Sequence, residues 1–176
     1  IYDHLKSSYE TLISTDLRGL RYLNKENYKP IIINTPKLNT LILLPFALFK
    51  ILFLTIKSLI LLKRKKISIL VSTGGYMSLP LCLAAKIFSI KILLIEPNMV
   101  RGKANKLFLN FSEKLLYYSK NLINLPKKME KKKIMIRPLI RKKYYEKIDY
   151  EKKDNLFTII IIGGSQGASI FDTLIN

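Results

Sequence analysis

The sequence holds no tryptophan, one cysteine, one histidine and only 12 acidic residues in 176. Each scarcity removes a class of chemistry. The lone Cys82 cannot close an internal disulfide, so nothing points to an oxidising compartment. It lies in an apolar run and reads as a small buried hydrophobe. With His4 as the single histidine, these residues cannot build a multi-histidine metal centre or a Ser-His-Asp arrangement. No signal peptide opens the sequence, and because it begins on Ile1 rather than Met, the chain is expected to start inside a longer one.

The shortage of acid leaves a large excess of base. Lys and Arg number 31, which sets the formal charge at +19 and the isoelectric point near 10.0. Such a charge suits nucleic acid, an anionic membrane face or a phosphorylated substrate. Composition supplies a rival cause: 26 residues are Ile and 25 are Lys. Drift toward one codon class produces that bias and raises the charge with no function attached, so charge alone selects no partner. With 49% apolar and 24% charged residues, the chain has the balance of a folded protein and not of a disordered tail.

Short β-branched or aliphatic runs at 31–33, 67–71, 91–95, 134–136 and 157–162 read as strands, and apolar segments at 41–62, 79–89 and 104–111 read as helices. The alternation predicts parallel βαβ units in an α/β fold. The residues alone indicate most of one doubly wound domain, then the first strand, loop and helix of a second. The predicted boundaries are a first domain over 1–140, a linker over 141–155 rich in Arg, Lys, Tyr and Glu, and a truncated second domain over 156–176.

Two glycine loops follow predicted strands. Thr73-Gly74-Gly75-Tyr76 follows 67–71, and Gly163-Gly164-Ser165-Gln166-Gly167 follows 157–162. Without a Cβ, glycine lets backbone N–H groups approach an anion, and in open α/β sheets such carboxyl-end loops line the ligand crevice. Close strand-to-helix packing is the competing use of the same glycines. Neither loop is a Rossmann G-x-G-x-x-G or a P-loop, so a kinase or triphosphatase is disfavoured. A third candidate is the strand end Glu96-Pro97-Asn98, with Gly102 and Asn105-Lys106 behind it. It gathers a carboxylate, amides and an ammonium suited to sugar hydroxyls or phosphate. A solvated loop with a helix cap is the plainer reading.

Taken together, Gly163-Gly164-Ser165-Gln166-Gly167-Ala168, Gly74-Gly75-Tyr76 with Ser78, Glu96-x-Asn98-x-x-x-Gly102-x-x-Asn105-Lys106 and Thr15-Asp16-Leu17-Arg18-Gly19 resemble, in order and spacing, glycosyltransferase family 28. This is the GT-B family whose bacterial members complete the lipid-linked peptidoglycan precursor. The resemblance implies a Rossmann-like parallel sheet of an N-terminal acceptor domain, here partial, and the first β-loop-α of a Rossmann-like donor domain. It implies transfer of N-acetylglucosamine from its UDP ester to a muramyl-pentapeptide pyrophosphoryl lipid, inverting and without a metal cofactor. By the same resemblance, Gly74, Gly75 and Tyr76 bind the acceptor diphosphate and Glu96 contacts the acceptor. Asn98 contacts the sugar nucleotide, and Gly163, Gly164, Ser165, Gln166 and Gly167 hold the donor phosphate. No catalytic residue is assigned, because the family's first glycine loop with its histidine has no counterpart here. The family's His-Glu-Gln-Asn stands as Ile95-Glu96-Pro97-Asn98, and no role is carried onto Arg141.

The chain is expected to be a fragment, inactive by itself, with a separately encoded remainder as a partner. Two rivals are a non-catalytic basic protein for membrane or nucleic acid and an eroded gene product. Tyr117-Tyr118 and Tyr144-Tyr145 are the only aromatic pairs near Lys runs, and both read as packing residues, so nucleic acid is not expected. Residues 41–66 bear on a membrane. Lys50, Lys57 and Arg64 recur every seven residues as one basic stripe on an otherwise apolar helix, the pattern of an interfacial helix that also covers the sheet, with a purely core helix and a transmembrane span as its rivals. The following cluster Lys63-Arg64-Lys65-Lys66 is expected at the anionic surface, beside the Gly74-Gly75 loop. That would place the protein peripherally on the cytoplasmic face of the bacterial inner membrane.

Overall fold

The computed structural model describes residues 1–23, 27–36, 44–120, 122 and 126–140. The chain divides after Lys142 into two units, and every described residue belongs to the first. The predicted linker, the strand at 157–162 and the second glycine loop lie outside the described residues.

Among the described residues, two parallel sheets form. In the smaller one, β1 (Ser14–Thr15) pairs with β2 (Ile31–Ile32) in the register Ser14 to Ile31. The larger has four strands in chain order: β3 (Ile69–Ser72), β4 (Lys91–Glu96), β5 (Lys114–Tyr117) and β6 (Lys133–Met135). Its registers set Ser72 beside Leu94, and Glu96 beside Tyr117. β4 lies inside the sheet, and its Ile92, Leu94 and Ile95 are buried, the near-continuous apolar run of a strand covered on both faces. β2, β3, β4 and β6 meet the sequence expectation to within two residues at each end. β5 does not appear in it.

A helix α1 (Tyr2–Leu5) precedes the small sheet, and α2 (Leu17–Leu20) follows β1. The long α3 (Leu44–Arg64) packs on α4 (Leu79–Ile87), and α5 (Lys103–Phe108) follows β4. Proline is tolerated in the first turns of α3 and α4 (Pro45, Pro80), where the missing N–H has no helical partner anyway. Both helices end alike. Lys66 and Ser89 turn left-handed (φ +48° and +54°), and the next residues, Ile67 and Ile90, donate back to Leu62 and Ala85 at 3.0 and 2.8 Å. This is a Schellman stop, with the following isoleucine packed against the core.

Those two stops correct one expectation. Leu62, Lys63, Lys66 and Ile67 line a crevice together with Phe88 and Ile90, so the C-terminal ends of α3 and α4 meet at the amino end of the sheet. Gly74 lies at the carboxyl end, beyond the whole of β3, whose four residues span about 13 Å at 3.3 Å per residue. The basic cluster 63–66 therefore does not adjoin the glycine loop. The N-terminal half of α3, with Phe46, Phe49 and Lys50, runs toward that end instead.

On α3, Ala47, Ile51, Thr55, Ser58 and Leu62 are buried. Thr55 and Ser58 donate back to Ile51 O and Leu54 O, each at 2.8 Å, so the polar atoms on this packed face are satisfied. The opposite side is bare: Phe46, Phe49, Phe53, Ile56 and Ile60 recur at helical spacing and stay exposed, Phe46 by 69% and Phe49 by 70%. Lys57 stands 4.7 Å above the Phe53 ring at the flank of this stripe. Among the described residues, this is the one helix long and apolar enough to cross a membrane. Some of the positive charge is structural. Lys132 donates to Asn110 O and Ser112 O at 3.1 and 2.7 Å, serving carbonyls at the end of the turn after α5.

Candidate functional site

β3 ends on Ser72, and the chain turns through Gly74 and Gly75, both at positive φ (+83° and +82°). A residue with a Cβ rarely adopts such backbone, at a cost of about 1–3 kcal/mol at each position. Serines pin this loop at both ends. Ser72 Oγ accepts from Gly74 N–H at 3.2 Å, and Ser78 Oγ donates to Gly75 O at 2.8 Å. Cys82 of α4 lies fully buried beside them. Burial pushes its thiol up to about 11, against hydrogen bonds to Ser72 and Ser78 that pull it down. It is an inert packing residue, as its place in the sequence indicated.

Position 74 is restricted twice, because a Cβ there would stand 3.1–3.3 Å from the carboxamide of Asn105. At Gly75 the nearest atom would be 4.0 Å away, so its requirement is conformational only.

Asn105 stands in the first turn of α5, just beyond the second loop. Its Nδ2 donates to Ile95 O at 3.0 Å and to Glu96 Oε2 at 2.9 Å. Glu96, 1% exposed, ends β4 and organises the loop that leaves it. Its Oε2 also accepts Gly102 N–H at 2.8 Å, while Oε1 accepts the backbone and side-chain N–H groups of Asn98, each at 3.2 Å. Four donors thus fold residues 97–102 around one carboxylate. This places Glu96 one step behind the surface where the sequence expectation had it, with both oxygens committed to the chain's own N–H groups. Asn98 is exposed on that loop, Gly75 is exposed on the other, and Tyr76 is half-buried.

The structure thus brings Gly74, Gly75, Tyr76, Glu96 and Asn98 to the carboxyl ends of two adjacent strands, joined through the Gly74–Asn105 contact. Gly163, Gly164, Ser165, Gln166 and Gly167 lie outside the described residues. Two features escape a reading of the sequence. Asn105 stands out there as a polar group but not as the piece that locks two loops together. Arg101 does not stand out at all, although only six of the 31 basic residues are arginine. Its Nε and Nη1, like Asn105 Oδ1, are buried without a hydrogen-bond partner.

A smaller construction at the end of β1 explains the Asp-x-Arg-Gly segment. Asp16, 2% exposed, caps α2 by accepting Gly19 N–H at 2.8 Å and pairs with the Arg18 guanidinium. Burial works against its charge, but the Gly19 N–H and Arg18 outweigh it and hold the carboxyl below its ordinary value. Any side chain at Gly19 would collide with Thr15 Oγ1. Among the described residues, no three His, Cys, Asp or Glu side chains gather as a metal-binding group.

A parallel sheet with helices between its strands, whose neighbouring strand ends carry a glycine turn and a carboxylate-anchored loop, defines an α/β domain of the Rossmann-like kind. The chain belongs to glycosyltransferase family 28, whose N-terminal domain matches residues 6–117. It is 45% identical over its whole length to the UDP-N-acetylglucosamine–N-acetylmuramyl-(pentapeptide) pyrophosphoryl-undecaprenol N-acetylglucosamine transferase of Pelagibacter ubique, of which it covers 50%. It is 34% identical to the protein of that name from Rickettsia bellii, with 97% of this chain and 49% of the relative covered. The chain spans about half the length of the curated relatives it matches. The crystal structure of Acinetobacter baumannii MurG shares the fold at a TM-score of 0.62 and 21% identity, covering 82% of this chain and 41% of that one.

Proposed function

We propose that this chain supplies the acceptor side of an inverting transferase, one that moves N-acetylglucosamine from UDP-N-acetylglucosamine to undecaprenyl-pyrophosphoryl-N-acetylmuramyl-pentapeptide in peptidoglycan synthesis. One observation carries the reading. The Gly74 loop and the Glu96 loop share one end of the sheet, in a chain 45% identical from end to end to a protein with that name. In this reading, residues 1–140 form the acceptor domain, 141–155 the linker and 156–176 the start of the donor domain.

The roles follow from the chemistry each group offers. Gly74 and Gly75 let backbone N–H groups meet the acceptor diphosphate, with Tyr76 beside them. Asn98 hydrogen-bonds the sugar nucleotide. Glu96 is a positioning residue that holds Asn98 in place. Gly163, Gly164, Ser165, Gln166 and Gly167 cradle the donor phosphate. Developing charge on the leaving diphosphate is met by backbone N–H donors, and the reading needs no metal ion, so chelation by EDTA should leave transfer by the chain joined to a donor half unchanged.

The lipid acceptor requires a membrane surface, and α3 offers one. One face is packed on α4, the other presents Phe46, Phe49, Phe53, Ile56 and Ile60, and Lys50, Lys57 and Arg64 run along the flank. A helix so arranged lies in the plane of an anionic leaflet. In this reading the protein sits peripherally on the cytoplasmic face of the inner membrane. Titrating the chain with a pyrophosphoryl-muramyl-pentapeptide lipid in micelles tests the loop assignment. Gly74→Ala should weaken binding about tenfold through loss of the N–H cradle, and equal affinity of the two proteins would overturn it.

A further inference from the structure

We propose that Arg101 is an additional phosphate-binding residue of this site, recognising the pyrophosphate ester that lipid acceptor and nucleotide sugar share. The inference rests on the proposed role of the strand-end crevice and adds a residue to it.

Arg101 occupies the loop that Glu96 organises, between Asn98 and Gly102. A guanidinium cannot shed its charge at any ordinary pH, so its donors must find acceptors or water. Here Nε and Nη1 meet no acceptor of the chain, although both are buried. Buried donors in this state are rare in folded proteins, and a charged one is the costliest kind. No carboxylate relieves it. The ion pairs among the described residues are Lys6 with Asp3, Arg18 with Asp16 and Lys133 with Glu130. Glu96, the buried acid of this loop, has both oxygens taken by Asn98, Gly102 and Asn105.

The residue as a whole is only half-buried, so it lies at the border between the interior and the surface of this loop. An oxyanion that draws the guanidinium outward gives its dry donors the acceptors that the chain withholds. Guanidinium and phosphate match in charge and in planar hydrogen-bond geometry. Of the four buried, unpartnered side-chain atoms among the described residues, two belong to Arg101 and a third is Oδ1 of Asn105, four residues on in α5.

The experiment compares the full chain with Arg101→Gln and Arg101→Lys by calorimetric titration and by thermal melting. Inorganic pyrophosphate should bind the wild type and lose about tenfold or more in affinity with Gln, with Lys partly restoring it. The Gln variant should melt at the same temperature as wild type or higher, because an unsatisfied buried charge has been removed. Short-chain prenyl pyrophosphate and UDP, titrated separately, tell the two sources apart: whichever loses affinity in the Gln variant is the ester that Arg101 meets. Pyrophosphate affinity unchanged by Arg101→Gln overturns the proposal, as does a lowered melting point with unchanged binding, which marks a structural role. If Gly74→Ala weakens pyrophosphate binding while Arg101→Gln does not, the assignment of Arg101 fails and the crevice stands. If the folded wild-type chain binds none of the three probes, both fail.

Discussion

Gly74 and Asn105 meet so closely that a Cβ on Gly74 would lie 3.1 Å from Asn105 Oδ1 and 3.2 Å from Nδ2. The same carboxamide bonds Ile95 and Glu96. Through this one side chain, the loop after β3 takes its position from the loop after β4.

This contact can be measured by a double-mutant cycle. Gly74→Ala should destabilise the chain by about 2–3 kcal/mol, combining the left-handed backbone with the crowding. Asn105→Ala removes the crowding partner, so Gly74→Ala should cost at least about 0.5 kcal/mol less in that background. Urea unfolding of the four proteins gives the coupling, and strictly additive costs would mean that the loops do not touch.

The Asp16 cap makes a pH prediction. Its carboxyl is held below the ordinary value in the folded chain, so its contribution is complete at neutral pH, where folded and unfolded states are both ionised. As pH falls through the ordinary carboxylate range, about 4, the unfolded chain takes up the proton first and the contribution is lost. Asp3, lowered by the Tyr28 hydroxyl against its own burial, acts with the same sign. Unfolding free energy should therefore decline from pH 6 to 3, and less steeply in Asp16→Asn, with Asp3 contributing to the decline that is left. Parallel curves for the two proteins would contradict the cap.

Much of this fold is legible in the sequence, for identifiable reasons. The strands at Ile31, Ile69 and Lys91 are aliphatic runs bounded by Pro, Gly or charge, and α3 and α4 show long apolar spans. Lys114-Leu115-Leu116-Tyr117 offers only two aliphatic residues among charges and tyrosines. It becomes a strand because it docks beside β4, where Leu115 is wholly buried. That is a tertiary cause with no local signal. The glycine loop and the Glu96 loop are visible as strand ends, but the consumption of Glu96 by N–H groups from residues 98, 102 and 105 depends on how the loop closes. The basic cluster 63–66 is misplaced by the sequence because few residues separate it from Gly74 along the chain, whereas an extended strand separates them in space.

The bare stripe of α3 predicts charge-dependent membrane binding. Vesicles containing anionic lipid should retain the chain at low salt and release it at high salt. Replacing Lys50, Lys57 and Arg64 together by Glu should weaken retention about a hundredfold, from roughly 1 kcal/mol per lost attraction. Retention that ignores salt and charge reversal and survives alkaline carbonate would show a true span and refute the interfacial helix.

The central claim is that these residues form the acceptor half of an N-acetylglucosaminyltransferase. The most direct measurement fuses them to the second half of the Pelagibacter ubique relative and follows radiolabelled N-acetylglucosamine from UDP onto the muramyl-pentapeptide pyrophosphoryl lipid. The account predicts transfer with inversion, abolished or strongly reduced by Gly74→Ala and present with EDTA. A folded fusion that binds UDP-N-acetylglucosamine yet transfers nothing to that lipid, while the intact relative does under the same conditions, would contradict it.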